Sequence, residues 1–422
     1  MTDDGITHLT EGDFVIIPKG TRHRLILTIL VKCLLIEVEG TLDKENTGGT
    51  YYQTISDFLK QRRILFMNSR VNYIDNLRTA IVSLLIIYHL GIAYNSWREA
   101  NYIFFERVNL IASIVVFISP WFMPLMFLLA GVSASFSLKK RGYSDFIKER
   151  FIRLGIPLLL GITIINPILS FIADKSHNGY DGNYFEHYSV YFTRFTDLTG
   201  YDGGFTLGHF WFIAVLIIIS CLGCGVIKFI DCISRNNRNI MLIINCLIII
   251  LAIAVFDVTF LGERIPAYLC VYLLGYYLFS NQEFIKKLVK IKILFVFVFV
   301  LSSIMNAILF VYIEDYELLN NICNYLSFVT GIPALVCLGK EYLSHSNKVS
   351  RYCSRLSYVF YIVHFPIVVL CQYFISLTGV GSVHNFVLSL LISTIMTCSV
   401  CYIIEKNTVI SFLFGLKRDK AS

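Results

Sequence analysis

The chain has 422 residues, 56% of them hydrophobic and only 15% charged, with a formal net charge of +7. A soluble domain of this length needs more polar surface, so composition excludes that class and indicates an all-α polytopic membrane protein. The basic excess is unevenly distributed, and its distribution says more than its total.

In chain order, the first fifty residues differ from the rest. The start MTDDG is polar and acidic, which predicts no cleavable signal peptide. The stretch HLTEGDFVIIPKGTRHRLILTILVKCLLIEVEGTLDKENTGG then alternates short β-type runs with Gly, Pro and Asp turns. Residues 1–50 are therefore expected to form a short β-rich fragment. Within it Gly12, Pro18, Gly20 and His23 resemble the second motif of the cupin family, G-x5-P-x-G-x2-H. The resemblance implies a metal only if two further His and a Glu come from an earlier motif. That motif is absent here, so no metal is expected. The segment is also too short to close a β-barrel. Residues 51–70 (YYQTISDFLKQRRILFMNSR) read as a linker and interfacial helix, with Arg62, Arg63 and Arg70 among lipid headgroups.

Ten apolar spans follow, at roughly 77–95, 110–137, 151–172, 209–230, 239–258, 266–280, 293–313, 320–338, 356–376 and 385–404. With a cytoplasmic N-terminus, the inside connections and the tail hold 21 of the 36 Lys and Arg residues. The segment before the first span, counting Arg78, holds 10 more, and the outside connections share five. This asymmetry satisfies the positive-inside rule and predicts ten transmembrane helices, N-in and C-in, with 406–422 as a basic cytoplasmic tail. Of the 12 cysteines none falls in the long outer loop 173–208, which argues against a disulfide framework. Cys221 and Cys224 form a CxxC inside an apolar helix and read as packing residues.

The first span, VNYIDNLRTAIVSLLIIYHLGIAY, carries Asp75, Arg78 and His89. Ionisable groups in a span are costly and so suggest function by default. At 3.6 residues per turn, Arg78 and His89 fall within about 20° of each other and ~16 Å apart along the axis. Asp75 lies one turn before Arg78 on the same stripe. Separately, Arg78 reads as a snorkelling residue and His89 as a packing histidine; together on one stripe they indicate a site. In KKRGYSDFIKERFIRLGIP, Arg150 and Arg153 stand at i, i+3 on one face. Two guanidinium forks at that position suit phosphate, although RxxR pairs are also ordinary positive-inside charge. LSYVFYIVHFPIVV sets Tyr361 and His364 at i, i+3 at membrane depth, where Pro366 frees a backbone carbonyl. GHFWF at 208–212 reads as an aromatic-belt anchor, with His209 also within reach of a substrate on the outer side.

In order and spacing, YIDNLRTAIVSLLIIYH, FMPLMFLLAGVSASFSLKKRG, FIKERFIRLGIPLLLG, GHFWF, YLLGYYLF and SYVFYIVHFPI resemble the membrane acyltransferase 3 family. The likeness is to the glucan biosynthesis protein C branch and to O-antigen and peptidoglycan O-acetyltransferases, over residues 71–405. It implies transfer of an acyl group, acetyl or succinyl, from cytoplasmic acyl-CoA to a hydroxyl of a cell-envelope glycan. Arg78 and His89 match the family's R-x10-H, Arg150 and Arg153 its RxxR, and Tyr361 and His364 its Y-x2-H region. The resemblance thus implies catalytic roles for His89, Arg78, Asp75, Tyr361 and His364, and CoA contacts for Arg150 and Arg153. His89 as general base and His89 as acylated nucleophile both stay open. Expected partners are membrane lipid, the outer glycan acceptor, and an esterase or transferase for any second transfer step. Neither a metal nor a nucleic acid is expected. The expected location is the cytoplasmic membrane. The alternative is a transporter or flippase for a lipid-linked sugar, using the polar stripe as a path; the paired halves common in transporters are not visible. A cupin-gated sensor is a third reading.

Overall fold

A computed structural model describes residues 72–97, 99–234, 237–260, 262–313 and 315–416. The cupin-like segment 1–50, the linker 51–70 and the tail beyond 416 lie outside the described residues.

The described chain is helical, and its only strand-like feature is a bridge between Phe260 and Glu263. The helices are α1 (Asn72–Ile92), α2 (Asn109–Ile118) and α3 (Phe122–Leu138), the last two forming one 30-residue apolar segment. There follow α4 (Tyr143–His177), α5 (Tyr184–Thr193), α6 (Gly208–Ser234), α7 (Arg238–Ala254), α8 (Ile265–Phe279) and α9 (Gln282–Lys290). The last are α10 (Lys292–Ile313), α11 (Glu317–Tyr342), α12 (Lys348–Ser376), α13 (Ser382–Lys406) and α14 (Thr408–Leu413). Seven of these segments are long and apolar enough to cross a membrane: α2–α3, α4, α6, α10, α11, α12 and α13. The spans expected at 77–95, 239–258 and 266–280 fall on α1, α7 and α8, which are less apolar or shorter. In α1 it is the polar stripe that lowers hydropathy.

Lipid tails are as apolar as Leu, so helices in a bilayer associate through close packing and hydrogen bonds. Both are visible. Gly131 of α3 lies against the Tyr272 carbonyl of α8, and Gly275 of α8 against the Leu128 carbonyl of α3. A Cβ at either position would overlap backbone, so the two motif glycines let α3 and α8 cross at their main chains. On α13, Asn385, Ser389, Ser393 and Thr397 repeat every fourth residue and are all buried. Apolar side chains such as Leu247, Ile293, Phe297 and Ile395 are exposed on the outer faces of α7, α10 and α13.

Prolines shape the helices that carry the site. A proline cannot donate to the carbonyl four residues before it, which leaves an acceptor needing a partner at membrane depth. Three such acceptors are filled from elsewhere in the fold. The Arg153 carbonyl, four before Pro157, accepts from the Tyr358 hydroxyl at 3.3 Å. The Thr163 carbonyl, four before Pro167, accepts from Tyr188 of α5. The Ile362 carbonyl, four before Pro366, accepts from His209 Nε2 at 2.9 Å. The same stretch of α4 also contains two π-helical turns, Phe151–Gly155 and Gly161–Ile165.

The long loop end of the bundle is capped by α5 and its flanks. Asn183 and Glu186 form a capping box that starts α5. Buried Asp174 then holds His187 at 3.1 Å, Asn178 at 2.6 Å and Arg194 at 3.4 Å. At the same end Gln372 Nε2 donates to the Leu90 carbonyl at 3.1 Å, and Tyr94 donates to Asn385 at 3.1 Å. These bonds fix the register of α1 against α12 and α13, one residue from His89.

Candidate active site

The expected polar stripe on α1 is present. Arg78 pairs with Asp75 at 3.2 Å within the helix, and its other terminal nitrogen donates to Ser133 of α3 at 2.8 Å. Arg78 is thus satisfied on two sides, as a partly buried guanidinium requires. The electrostatic neighbours of Arg150 include Arg78, Arg141 and Arg153, so four arginines gather at one end of the bundle. A π turn begins at Phe151, between Arg150 and Arg153, and both arginines remain electrostatic neighbours of Tyr358. Arg150 is half-buried over the Phe146 ring at 4.9 Å, whereas Arg153 is exposed and pairs with Glu149 at 3.5 Å. Glu149 also pairs with Arg141.

At the other end of the stripe three histidines meet. The His89 and His364 rings are 5.3 Å apart between centroids, and the His364 and His209 rings 5.4 Å. Phe365 packs against His89 at 4.1 Å and closes the group toward Tyr102, 5.6 Å beyond. His364 is fully buried and His209 nearly so, at 3% exposure. His209 is therefore not an aromatic-belt anchor but an inner residue of the cluster.

Two of the tautomers follow from the partners. His209 Nε2 faces the Ile362 carbonyl, and His364 Nδ1 faces the Tyr361 carbonyl at 2.7 Å. A carbonyl only accepts, so those nitrogens carry the protons and, in neutral rings, His209 Nδ1 and His364 Nε2 present lone pairs. Both atoms are buried without a hydrogen-bond partner. Two buried acceptors without a partner, on rings whose centroids are 5.4 Å apart, create a demand for donor hydrogens. Tyr361 completes the clasp between α6 and α12, because its hydroxyl donates to the His209 carbonyl.

The local sequence explains how His209 reaches this place. It sits in the 3-10 turn that opens α6, and the neighbouring Phe210 ring lies where a Cβ on Gly161 would be. Glycine in the second π turn of α4 thus lets GHFWF dock inward. Of the residues singled out from sequence, the fold joins His89, His364 and Tyr361, and joins Asp75 with Arg78. Sequence reasoning missed the inner position of His209 and the parts played by Ser133, Arg141 and Tyr358. For His209 the available signal was Pro366, which announces a carbonyl in need of a donor.

The family model of an acyltransferase domain matches residues 71–406. The chain belongs to the acyltransferase 3 family. No curated protein and no solved structure matches it. With its apolar helices, this makes the protein a multi-pass membrane enzyme of the O-acyltransferase type. Among the described residues of the acyltransferase, no group of three His, Cys, Asp or Glu side chains is disposed to hold a metal ion.

Outside the spans, two titratable groups at the loop end are displaced from ordinary values. Burial pushes the Glu263 carboxyl up to about 7, against the opposing charge of adjacent Arg264. Burial also lowers the His187 pKa, and outweighs the opposite pull of Asp174.

Proposed function

We propose that this acyltransferase takes an acyl group from cytoplasmic acyl-CoA and transfers it to a hydroxyl of a cell-envelope glycan presented from the opposite side. In this reading the chain crosses the cytoplasmic membrane ten times, with both ends inside. The four-arginine end then faces the cytosol and receives the CoA phosphates, with Arg150 and Arg153 as the principal contacts. The pantetheine arm runs inward along α1 past Arg78, which its pairing with Asp75 holds in place.

His89 acts as the general base. The acceptor oxygen bonds to the acyl carbon, the carbon–sulfur bond breaks, and the hydroxyl proton passes through His89 to the departing CoA sulfur. His364 and His209 offer their unpaired nitrogens to hydrogens of the acceptor, and Tyr361 holds the two helices in register. The observation that supports the reading is that one helix, α1, carries Arg78 at the arginine end and His89 at the meeting of three histidines. A positioned imidazole base contributes about 10² to 10⁴ in rate. His89→Ala and His89→Gln are therefore expected to lower glycan acylation by that factor at unchanged membrane level. Near-parental acylation in either variant defeats the assignment.

A further inference from the structure

His209 and His364 are almost fully enclosed, whereas Tyr88 and His89 are half-buried, so the histidine cluster is reached past these two residues of α1. The Tyr88 ring stands 5.5 Å from that of His89, and its electrostatic neighbours include two carboxylates beyond the helix, Glu99 and Glu263. Tyr201, in the loop before α6, has the same two carboxylates as neighbours. Tyr268 of α8 and Tyr361 of α12 are also neighbours of Glu263. Tyrosines from four separate parts of the fold therefore gather around one carboxylate, and one of them adjoins His89.

That carboxylate is unserved. A bridge between Phe260 and Glu263 makes a tight turn just before α8, where Gly262 has a φ of 79°. The adjacent Arg264 turns elsewhere: it pairs with Asp257 at 3.8 Å and lies over the Phe256 ring at 4.3 Å. Glu99 has a donor, Trp97 Nε1 at 2.7 Å. Among the described residues, no hydrogen bond or ion pair reaches the half-buried Glu263 carboxylate. Such a group is costly to leave bare. An ionised carboxylate only accepts, so what satisfies it must bring hydrogens, and hydroxyl-to-carboxylate bonds are among the strong ones. An apolar face lies close by, because the half-buried Trp211 ring stacks on Tyr268 at 6.1 Å.

We infer that Glu263 binds the acceptor: its carboxylate takes hydrogen bonds from neighbouring hydroxyls of an uncharged sugar, with Trp211 as the apolar face beside it. The inference rests on the glycan-acceptor part of the reading above and narrows it. A sugar bearing carboxylates or phosphates sets like charge against Glu263 and is disfavoured.

The test uses the full chain in lipid nanodiscs at about pH 8, above the value of about 7 to which burial pushes Glu263. The probes are maltohexaose, its fully O-methylated form and hexagalacturonate. Sugar affinity is titrated by saturation-transfer NMR, and acetyl-CoA affinity by calorimetry on the same samples. Maltohexaose is expected to bind the parent at least about tenfold more tightly than hexagalacturonate. The methylated form has no hydroxyl hydrogens to donate and is expected not to bind. Glu263→Gln keeps the shape and disturbs no contact, yet should weaken maltohexaose about ten- to a hundredfold, the scale of hydrogen bonds to a charged group. In that variant the discrimination against hexagalacturonate should shrink, with acetyl-CoA affinity and the thermal midpoint unchanged. The assignment is overturned if the parent binds no sugar, binds hexagalacturonate as tightly as maltohexaose, or binds the methylated form. It is overturned equally if maltohexaose affinity in Glu263→Gln stays within about threefold of parental. Sugar binding that follows Glu263 while acetyl-CoA fails to bind removes the acyl-CoA reading and leaves the sugar site standing, so the two failures are distinct.

Discussion

His209→Gln and His209→Asn remove opposite halves of one imidazole. In the protein, Nε2–H donates to the carbonyl that Pro366 leaves unserved, while Nδ1 is a buried acceptor with no partner. A Gln amide reaches the Nε2 position and keeps the bond to Ile362, but it has no lone pair where Nδ1 was. An Asn amide places its oxygen near Nδ1 and loses the bond. Leaving the Ile362 carbonyl unsatisfied costs about 1–3 kcal/mol. His209→Asn should therefore lower the thermal midpoint by several degrees, and His209→Gln should leave it within about a degree. Activity should show the reverse preference. If Nδ1 accepts a hydrogen from the acceptor, its loss in His209→Gln removes one buried hydrogen bond, again about 1–3 kcal/mol. That corresponds to roughly a five- to hundredfold fall in kcat/KM for the acceptor, with acyl-CoA binding unchanged. The assays are differential scanning fluorimetry in detergent and glycan acylation with both substrates varied. Full activity in His209→Gln would refute a role for Nδ1 and leave His209 as a plug for the proline gap.

Three further outcomes are expected. Arg150→Lys and Arg153→Lys keep the charge but lose the guanidinium fork, so acyl-CoA affinity should fall in both, more at Arg150 because of its stacking on Phe146; calorimetry decides it. Gly161→Ala drives a methyl into the Phe210 ring, and the resulting overpacking should cost about 1–3 kcal/mol and displace His209, read as a lower thermal midpoint together with lower activity. The loop end should loosen in mild acid: burial holds the His187 pKa below its usual 6.5, so its contribution is complete above that value and is lost as pH falls through the depressed one. Hydrogen exchange across 178–207 should rise below pH 6.5 in the parent, and the rise should shrink in His187→Gln.

The parts of the site that were legible in the sequence are those that one helix specifies alone. The R-x10-H spacing fixes a stripe because helical periodicity fixes it, and Asp75 meets Arg78 because i, i+3 neighbours meet. Even there the reading has a limit. RxxR was placed by assuming an unbroken α-helix, and the structure has a π turn at Phe151–Gly155 between the two arginines. The meeting of His89, His364 and His209 depends on how α1, α6 and α12 pack, which no single-helix period encodes. Ten apolar runs were visible as hydropathy, but α8 holds its place through Gly131 and Gly275, a fit between two distant segments.

The prolines suggest why this packing is specific. A proline in a membrane helix names its orphan acceptor by arithmetic alone: 157 leaves 153, 167 leaves 163, and 366 leaves 362. Each orphan is met by a Tyr or His from another element, at Tyr358, Tyr188 and His209. The bond at Ile362 is buried, so it ties α6 to α12 at a position that cannot slide by a residue without leaving a carbonyl bare, and the other two tie their elements at exposed positions. Two of the three ties end on α4 and two involve α12, the helices that carry the arginines and His364. The third property follows from the donors themselves. A histidine or tyrosine that has spent one hydrogen on a carbonyl is fixed in orientation, and for His209 that leaves a buried lone pair on Nδ1, in a ring 5.4 Å from that of His364. The bond that repairs the helix is thus the same bond that orients a ring at the site, and this is why His209→Gln and His209→Asn separate the two effects.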